Sequence, residues 1–463
     1  MSRMAPNNLI LRTDSYKLSH HSLYPDGTTG LYSYLESRGG KFPETVFFGL
    51  QYLMKEYLAG WVVPGHHIRE AEKFAKAHGV PFPAEEWRYI SEELKGNLPI
   101  RIKAVPEVTV VPTSNVLLTV ESTDPKVFWL ASWLETIILR GLWYPITVAT
   151  QSYHIKKNIL AALQESSDNP EAEIPFKLHD FGARGVSSAE SAGIGGMAHL
   201  VNFQGSDTIE GILFANAFYE AEMAGYSIPA SEHSVCCSGG PEGELDVFRN
   251  MLKQYGQSGK MFACVSDSYD FFKAVEQYWA TDLLEEVKAS GCTVVIRPDS
   301  GNPKEIIMQA LRLLKEKVGM TQNSKGYWVL PSYFRLIQGD GVNIDSIKEI
   351  LEAMLAEKFS ATNLAFGSGG ALLQKVNRDT LRFAYKCSEI TVNGESREVF
   401  KDPVTDPGKL SKKGRLSLIK DADGKFQTVS GDNAEGNLLE TVFENGKILK
   451  EYTFEEVRAR AKC

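Results

Sequence analysis

From about Phe176 to Phe383 the chain alternates short apolar runs with longer segments of helical period. The runs end at 177–180, 200–203, 226–229, 262–265, 294–296, 336–338 and 364–366, and glycine or polar residues follow each one. Their spacing of roughly 25–40 residues is the length of one strand-plus-helix unit. The segments between them are amphipathic. Ile307, Ala310, Leu311, Leu314 and Val318 share one helical face, and Ile344, Ile347, Ile350, Leu351, Met354 and Leu355 share another. Thr293-Val294-Val295 heads the clearest strand. Three consecutive β-branched residues lack the alternation of a half-exposed strand, so it is predicted to be buried on both faces. It stops at Arg297-Pro298-Asp299-Ser300-Gly301, because proline cannot continue a central ladder. About seven such units predict an α/β fold with a parallel sheet. A polar cluster closes every run instead of marking one switch point, which favours an irregular (β/α) barrel over a doubly wound sheet.

The remainder reads as an α+β domain built from both ends of the chain. The pattern predicts a strand at 31–38, a helix at 48–58, and short strands at 100–105, 108–111 and 116–120. Asp14 or Ser15 is placed to cap a short helix. Beyond Phe383 the beat stops, and Asn393-Gly394, Asp423-Gly424 and Asn445-Gly446 mark hairpin turns. The expected division is 1–150 and 384–463 for this domain and 151–383 for the barrel. The most apolar stretch, 127–143, contains Glu135 and Arg140, so it predicts a buried helix and not a membrane span.

Composition narrows the function. A net charge of −8 over 463 residues argues against a nucleic-acid binder, whose affinity rests on neutralising phosphates. Six cysteines show no C-x-x-C spacing, and residues 1–8 lack the apolar run of a signal peptide; both fit a reducing, cytoplasmic setting.

A barrel would gather the run ends on one rim, so their chemistry has to be read together. Phe181-Gly182-Ala183-Arg184-Gly185 offers a ring, a cation and two glycines ahead of a helix led by Ser187. Asp207 follows Gly205-Ser206, His233 stands in Glu232-His233-Ser234, and Asp267 in Ser266-Asp267-Ser268. Arg297, Asp299 and Arg335 join them, with Asp340 between Gly339 and Gly341. Gly367-Ser368-Gly369-Gly370 precedes a helix expected from about Leu372, where backbone N–H groups and the helix dipole favour an oxyanion. Alone, a glycine turn is more often only a turn, and a single histidine is more often structural. Together, three arginines, four acids, one histidine and a phosphate cradle describe an enzyme acting on a phosphorylated, ribose-bearing small molecule. No G-x-x-x-x-G-K-[ST] occurs, which removes the P-loop. No Cys/His cluster is present, so no metal held by the protein alone is expected, and Mg²⁺ would arrive largely through substrate.

These stretches resemble the nicotinamide phosphoribosyltransferases, a family of type II phosphoribosyltransferases. The resemblance rests on TDSYKLSHHSLYP (13–25), ETVFFGLQY (44–52), WYPITVAT (143–150), KLHDFGARGVSS (177–188), GYSIPASEHS (225–234), SDSYD (266–270), VIRPDSGNP (295–303), IQGDGV (337–342), AFGSGGALLQK (365–375), FKDPVTDP (400–407) and SKKGRLSL (411–418). It implies transfer of a phosphoribosyl group from 5-phosphoribosyl 1-pyrophosphate to nicotinamide, in NAD salvage, with ATP as co-substrate and substrate-bound Mg²⁺. It also implies roles. Phe181, with Tyr16 of the partner subunit, would sandwich the pyridine ring, and Asp207 would accept from the carboxamide NH₂. Arg297 and Asp299 would hold base and ribose-pyrophosphate, Gly339 and Asp340 the ribose hydroxyls, and Arg184, Gly369 and Gly370 the 5′-phosphate. Asp14 and Arg335 fall among the substrate-binding positions. His233 would be phosphorylated by ATP and oriented by Asp267. Arg38, Arg378, Lys386, Lys401 and Lys409 would reach pyrophosphate or ATP across a homodimer interface. Two rivals stand beside this reading: a nicotinate phosphoribosyltransferase on the same scaffold, and a non-catalytic signalling or binding protein.

Overall fold

Six strands form one parallel sheet in a computed structural model that describes residues 7–405 and 410–461. Their order is Gly205–Ser206, Leu178–Asp180, Leu364–Ser368, Phe334–Gln338, Thr293–Arg297 and Met261–Val265. Single bridges bring the two outer edges together: Tyr226 pairs with Gly205 and Ala230 with Ala263. The segment 226–230 thus closes the sheet as an irregular barrel. It builds no ladder of its own because Pro229 lacks an N–H, though its carbonyl accepts from Ala263 N at 2.9 Å. The run at 200–203, expected to end a strand, is the close of the helix Ala189–Leu200 and the turn after it. Four apolar residues are too few for periodicity to separate a buried strand from a buried helix end.

Alternation along the strands sorts the side chains. Phe262, Cys264, Val294, Ile296 and Phe366 are buried on one face. On the other, Ala263, Val295 and Ile337 form an interior cluster with Phe181, Ile228 and Ala365. Ala263 and Ala365 are too small to fill the barrel, and a cavity of about 590 Å³ remains. The helices Pro303–Val318 and Ile344–Ala356 bury Ile307, Leu311 and Leu314, and Ile347, Ile350 and Met354. Each fully buried side chain of this size contributes roughly 1.5–3 kcal/mol. Asn302 and Asn343 cap them, accepting from Glu305 N at 3.2 Å and Ser346 N at 3.1 Å.

The barrel belongs to a unit of Gln151–Asn216 and Glu222–Val376. A second unit takes the residues up to Thr150, Ala217–Ala221 and Asn377–Ala461. Its antiparallel sheet runs Glu395–Glu398, Phe383–Val392, Thr28–Ser37, Val116–Ser122, Ile100–Ala104, Glu440–Glu444, Lys447–Ile448, so strands from both ends of the chain interleave. Asn393-Gly394 and Asn445-Gly446 turn with φ of 52° and 80°, and 49° and 80°, the left-handed pair that a tight hairpin needs. The apolar stretch 127–143 is not one helix. Leu130–Trp133 forms a single turn, and a new helix, Glu135–Ser166, follows it. Among the described residues no helix is long and apolar enough to cross a membrane.

One buried carboxylate ties this second unit together. Glu107, 3% exposed, accepts from Gln51 N at 2.7 Å and from Tyr219 Oη at 2.6 Å. Burial pushes its carboxyl up from 4.5 to about 7. A carboxyl whose native pKa is raised stabilises fully below its unfolded value and loses that contribution as pH climbs through about 7. Glu107→Ala leaves both donors without an acceptor and should cost about 2–4 kcal/mol, measured by urea unfolding at pH 5, with a smaller loss at pH 8.

Candidate active site at the barrel mouth

Phe181 and Arg297 stand at the carboxyl ends of the strands, and two glycines make room for them. A Cβ at Gly367 would lie 1.9 Å from Phe181 Cε2, and one at Gly339 would lie 2.8 Å from Arg297 Nε. The Arg297 guanidinium carbon is 5.2 Å from the Phe181 ring centroid. Its Nη2 donates to Asp299 Oδ1 at 2.6 Å, while its Nε is buried without a partner. A buried donor left open beside an aromatic ring is a ready site for a ligand oxygen.

Asp267 organises the next part of the rim. Its side chain, 3% exposed, accepts from Asp299 N at 2.9 Å and Ser300 Oγ at 2.5 Å and pairs with His233 Nε2 at 3.1 Å. His233 Nδ1 lies 3.8 Å from Asp299 Oδ2. His233 opens the single helical turn His233–Cys236, and nearly half of its side chain is exposed. The imidazole is thereby held between two carboxylates with one face open.

Asp207 is exposed beyond Gly205–Ser206; its N–H donates to Asp180 O at 2.9 Å, and its Oδ1 accepts from the Ser227 hydroxyl. Asp340 is exposed past Phe334–Gln338, its carbonyl accepting from Gln338 Nε2 at 2.8 Å. The helix after Gly369 starts at Gly370, earlier than expected, and is one turn long. A Cβ on Gly185 would sit 3.5 Å from Gly370, so the exposed Arg184 turn packs against the glycine cradle. Arg335 is placed differently from the sequence reading. It is the second residue of its strand, at the opposite end from Gly339, and its Nη1 donates to the carbonyls of Leu330, Pro331 and Phe334 at 3.3, 3.0 and 2.6 Å. The strand begins two residues before the apolar run suggested, which moves Arg335 from rim to base. There it lines the cavity with Lys177 and Glu173.

The other predicted residues belong to the second unit. Tyr16 is 57% exposed. Asp14 holds the N-cap position of Ser15–Ser22 but its carboxylate accepts instead from Thr136 Oγ1 at 2.6 Å. Arg38 Nε donates to Glu36 at 2.8 Å, and Lys412 pairs with the same carboxylate. Lys386 lies opposite Tyr34 across the sheet. Burial holds its amine below the usual range; nearby Glu135 works against this, and Arg38, Lys17 and Arg378 add to it. Arg38, Lys386 and Arg378 therefore share one electrostatic neighbourhood. Lys401 is exposed, its backbone exchanging hydrogen bonds with Ser411. Lys409 lies outside the described residues. Sequence reasoning missed Ser227 and Ser300 as donors, which carry no local signal. It read Gly367 as part of the phosphate turn, although a glycine on the inward face of a strand also marks close approach by a neighbour.

Among the described residues no three His, Cys, Asp or Glu side chains are grouped to hold a metal ion. The carboxylates are already committed: Asp267 to three donors and Asp299 to Arg297.

A parallel barrel with glycine turns, arginines and carboxylates on its rim suits a phosphate-bearing small-molecule substrate, and the chain's relatives place it in the phosphoribosyltransferase class. Residues 176–447 match the nicotinate phosphoribosyltransferase (NAPRTase) family, and residues 8–102 match the N-terminal domain of nicotinamide phosphoribosyltransferase. The chain belongs to the NAPRTase family and is a pentosyltransferase. It is 53% identical to the nicotinamide phosphoribosyltransferase of Xanthomonas campestris over 98% of both chains. It is 34% identical to that of Acinetobacter baylyi, over 99% of this chain and 97% of the relative. Among solved structures, nicotinate-nucleotide pyrophosphorylase from Pyrococcus furiosus superposes with a TM-score of 0.64 at 16% identity, over 100% of this chain and 96% of that one. Human nicotinic acid phosphoribosyltransferase gives 0.57 at 15%, over 97% and 92%. Both share the fold.

Proposed function

We propose that the protein joins nicotinamide to 5-phosphoribosyl 1-pyrophosphate, giving nicotinamide mononucleotide and pyrophosphate for NAD salvage. The observation that carries the substrate choice is Asp207, a carboxylate on the cavity wall whose side-chain partner is a neutral hydroxyl. It accepts from the NH₂ of a carboxamide and repels the carboxylate of nicotinate. The naming of the relatives above as nicotinamide phosphoribosyltransferases supports the same choice.

The pyridine nitrogen is already a nucleophile, so the site needs no strong base. Displacement at the anomeric carbon passes through an oxocarbenium-like state, and the work falls to positioning and to stabilising the leaving group. Phe181 holds one face of the ring, with Tyr16 of the partner subunit on the other in a homodimer. Arg297 Nε, buried and unpartnered, is a donor for the carboxamide oxygen. Arg184, Gly369 and Gly370 bind the 5′-phosphate, and Asp340 and Gly339 the ribose hydroxyls. Mg²⁺, held by the donor's pyrophosphate, would neutralise the charge that departs with it. With Nε2 protonated toward Asp267, His233 presents Nδ1 to the γ-phosphorus of ATP; the N–P bond forms as the bond from that phosphorus to the bridging oxygen breaks and ADP leaves, and the phosphohistidine adds charge beside the pyrophosphate site. Arg38, Arg378, Lys386 and Lys401 supply cations for pyrophosphate or ATP. Five described cysteines are free thiols, which suits the cytoplasm.

Product assays with each base test the substrate. Wild type should favour nicotinamide, and Asp207→Ala or Asp207→Ser should narrow the ratio of kcat/KM values by about tenfold or more. A wild-type preference for nicotinate would establish the rival reading instead.

A further inference from the structure

Asp207 discriminates only while its carboxylate keeps both its charge and a fixed orientation. The barrel spends no cation on it. Among the described residues no lysine or arginine pairs with Asp207, and the cavity's Arg297 is engaged by Asp299 at 2.6 Å. The side chain that holds it is Ser227, whose hydroxyl donates to Oδ1. Backbone geometry sets that meeting. Asp207 N donates to Asp180 O at 2.9 Å, Ser206 N to Tyr226 O at 3.0 Å, and Tyr226 N to Gln204 O at 2.7 Å. The bridge between Gly205 and Tyr226 therefore fixes the register of Ser227 against Asp207. Glu173, Lys177, Tyr226, Arg297 and Arg335 also line the cavity, and the titratable group there that feels the Asp207 charge is His179. Burial holds its imidazole below 6.5, with the Asp207 charge opposing that shift, and its Nε2 lies 3.0 Å from Phe176 O. A neutral ring donating Nε2–H to that carbonyl leaves the Asp207 charge uncancelled at neutral pH.

We propose that Ser227 is a positioning and specificity-determining residue for the base: it pins one oxygen of Asp207, leaves the other for the carboxamide NH₂, and leaves the carboxylate fully charged against an anionic base. This rests on the reading that the Phe181–Asp207 site takes nicotinamide. An arginine in the same place would orient Asp207 as firmly but cancel the charge that rejects nicotinate. A hydroxyl separates the two tasks, and the barrel-closing segment delivers it.

The test is steady-state kinetics of the full chain with nicotinamide and with nicotinate. Ser227→Ala should raise KM for nicotinamide about tenfold with kcat within about twofold, and lower the nicotinamide-to-nicotinate ratio of kcat/KM values in step. Ser227→Thr, which restores the hydroxyl, should recover both. Should Ser227→Ala fold poorly, Ser227→Cys keeps the shape with a weak donor and should show the same KM shift. If Asp207→Ala narrows the base preference while Ser227→Ala moves neither KM nor the ratio, the inference is overturned and the base-site reading stands. If Asp207→Ala leaves the preference unchanged, both fall.

Discussion

Replacing Gly367 by alanine is expected to lower nicotinamide-dependent turnover by about 100-fold while leaving the fold intact. A methyl group there would stand 1.9 Å from Phe181 Cε2, 2.3 Å from Cδ2 and 2.7 Å from Cζ, so the whole edge of the ring must move. The backbone cannot give way instead. Phe181 N is bonded to Ser368 O at 3.0 Å, and the Gly367 strand pairs on both sides, with Leu178–Asp180 and with Phe334–Gln338. The ring has somewhere to go, because the cavity beside it is unfilled; this is why the fold should survive. Swinging into that space, the ring would occupy the volume proposed for the pyridine and lose the face it turns to Arg297. A displacement of about 1 Å at a positioning group is worth roughly two orders of magnitude in rate. Thermal melting should shift by only about one degree, which corresponds to about 1 kcal/mol for a chain of this size. An alanine variant with near-normal turnover would show that Phe181 does not set the base position.

Most of the scaffold was legible because the residues that build it repeat. The Thr293–Arg297 strand, the helices after it and the Asn-Gly hairpins each follow from a local rule of burial or backbone conformation. What escaped depends on single long-range meetings. The run at 226–229 was legible, but that it closes the barrel through a single bridge to each edge was not. Arg335 sits at the base of the barrel because its strand starts at Phe334, and no periodicity marks the first residue of a buried strand. The candidate site shows the same split. Arg297, Asp299 and Asp267 are visible as charges where apolar runs stop, since a charge at the end of a buried strand needs a reason. Ser227 stands within a short apolar run and Ser300 in a polar turn, and only the fold shows that each donates to a carboxylate distant in sequence.

His233→Ala and Asp267→Ala should part company, although the two residues touch. His233 makes its side-chain contacts with Asp267 and Asp299 and leaves nearly half its surface open. Removing it deletes the proposed phosphate acceptor but leaves the rim in place, so ATP hydrolysis should vanish while slow, ATP-independent transfer persists. Asp267 does more. Besides His233 it accepts from Asp299 N at 2.9 Å and Ser300 Oγ at 2.5 Å, which fixes the loop that carries Asp299 and, through it, Arg297. Hydrogen bonds to a charged acceptor are worth about 1.5–3 kcal/mol each, so losing two should lower the transfer step itself by about 100-fold or more. Asp267→Asn, which keeps one acceptor oxygen but no charge, should fall between the two. Measuring pyrophosphate release with and without ATP separates these effects. If His233→Ala retains ATPase activity, the phosphohistidine role is lost; if Asp267→Ala spares ATP-independent transfer, Asp267 serves the histidine alone and not the substrate loop.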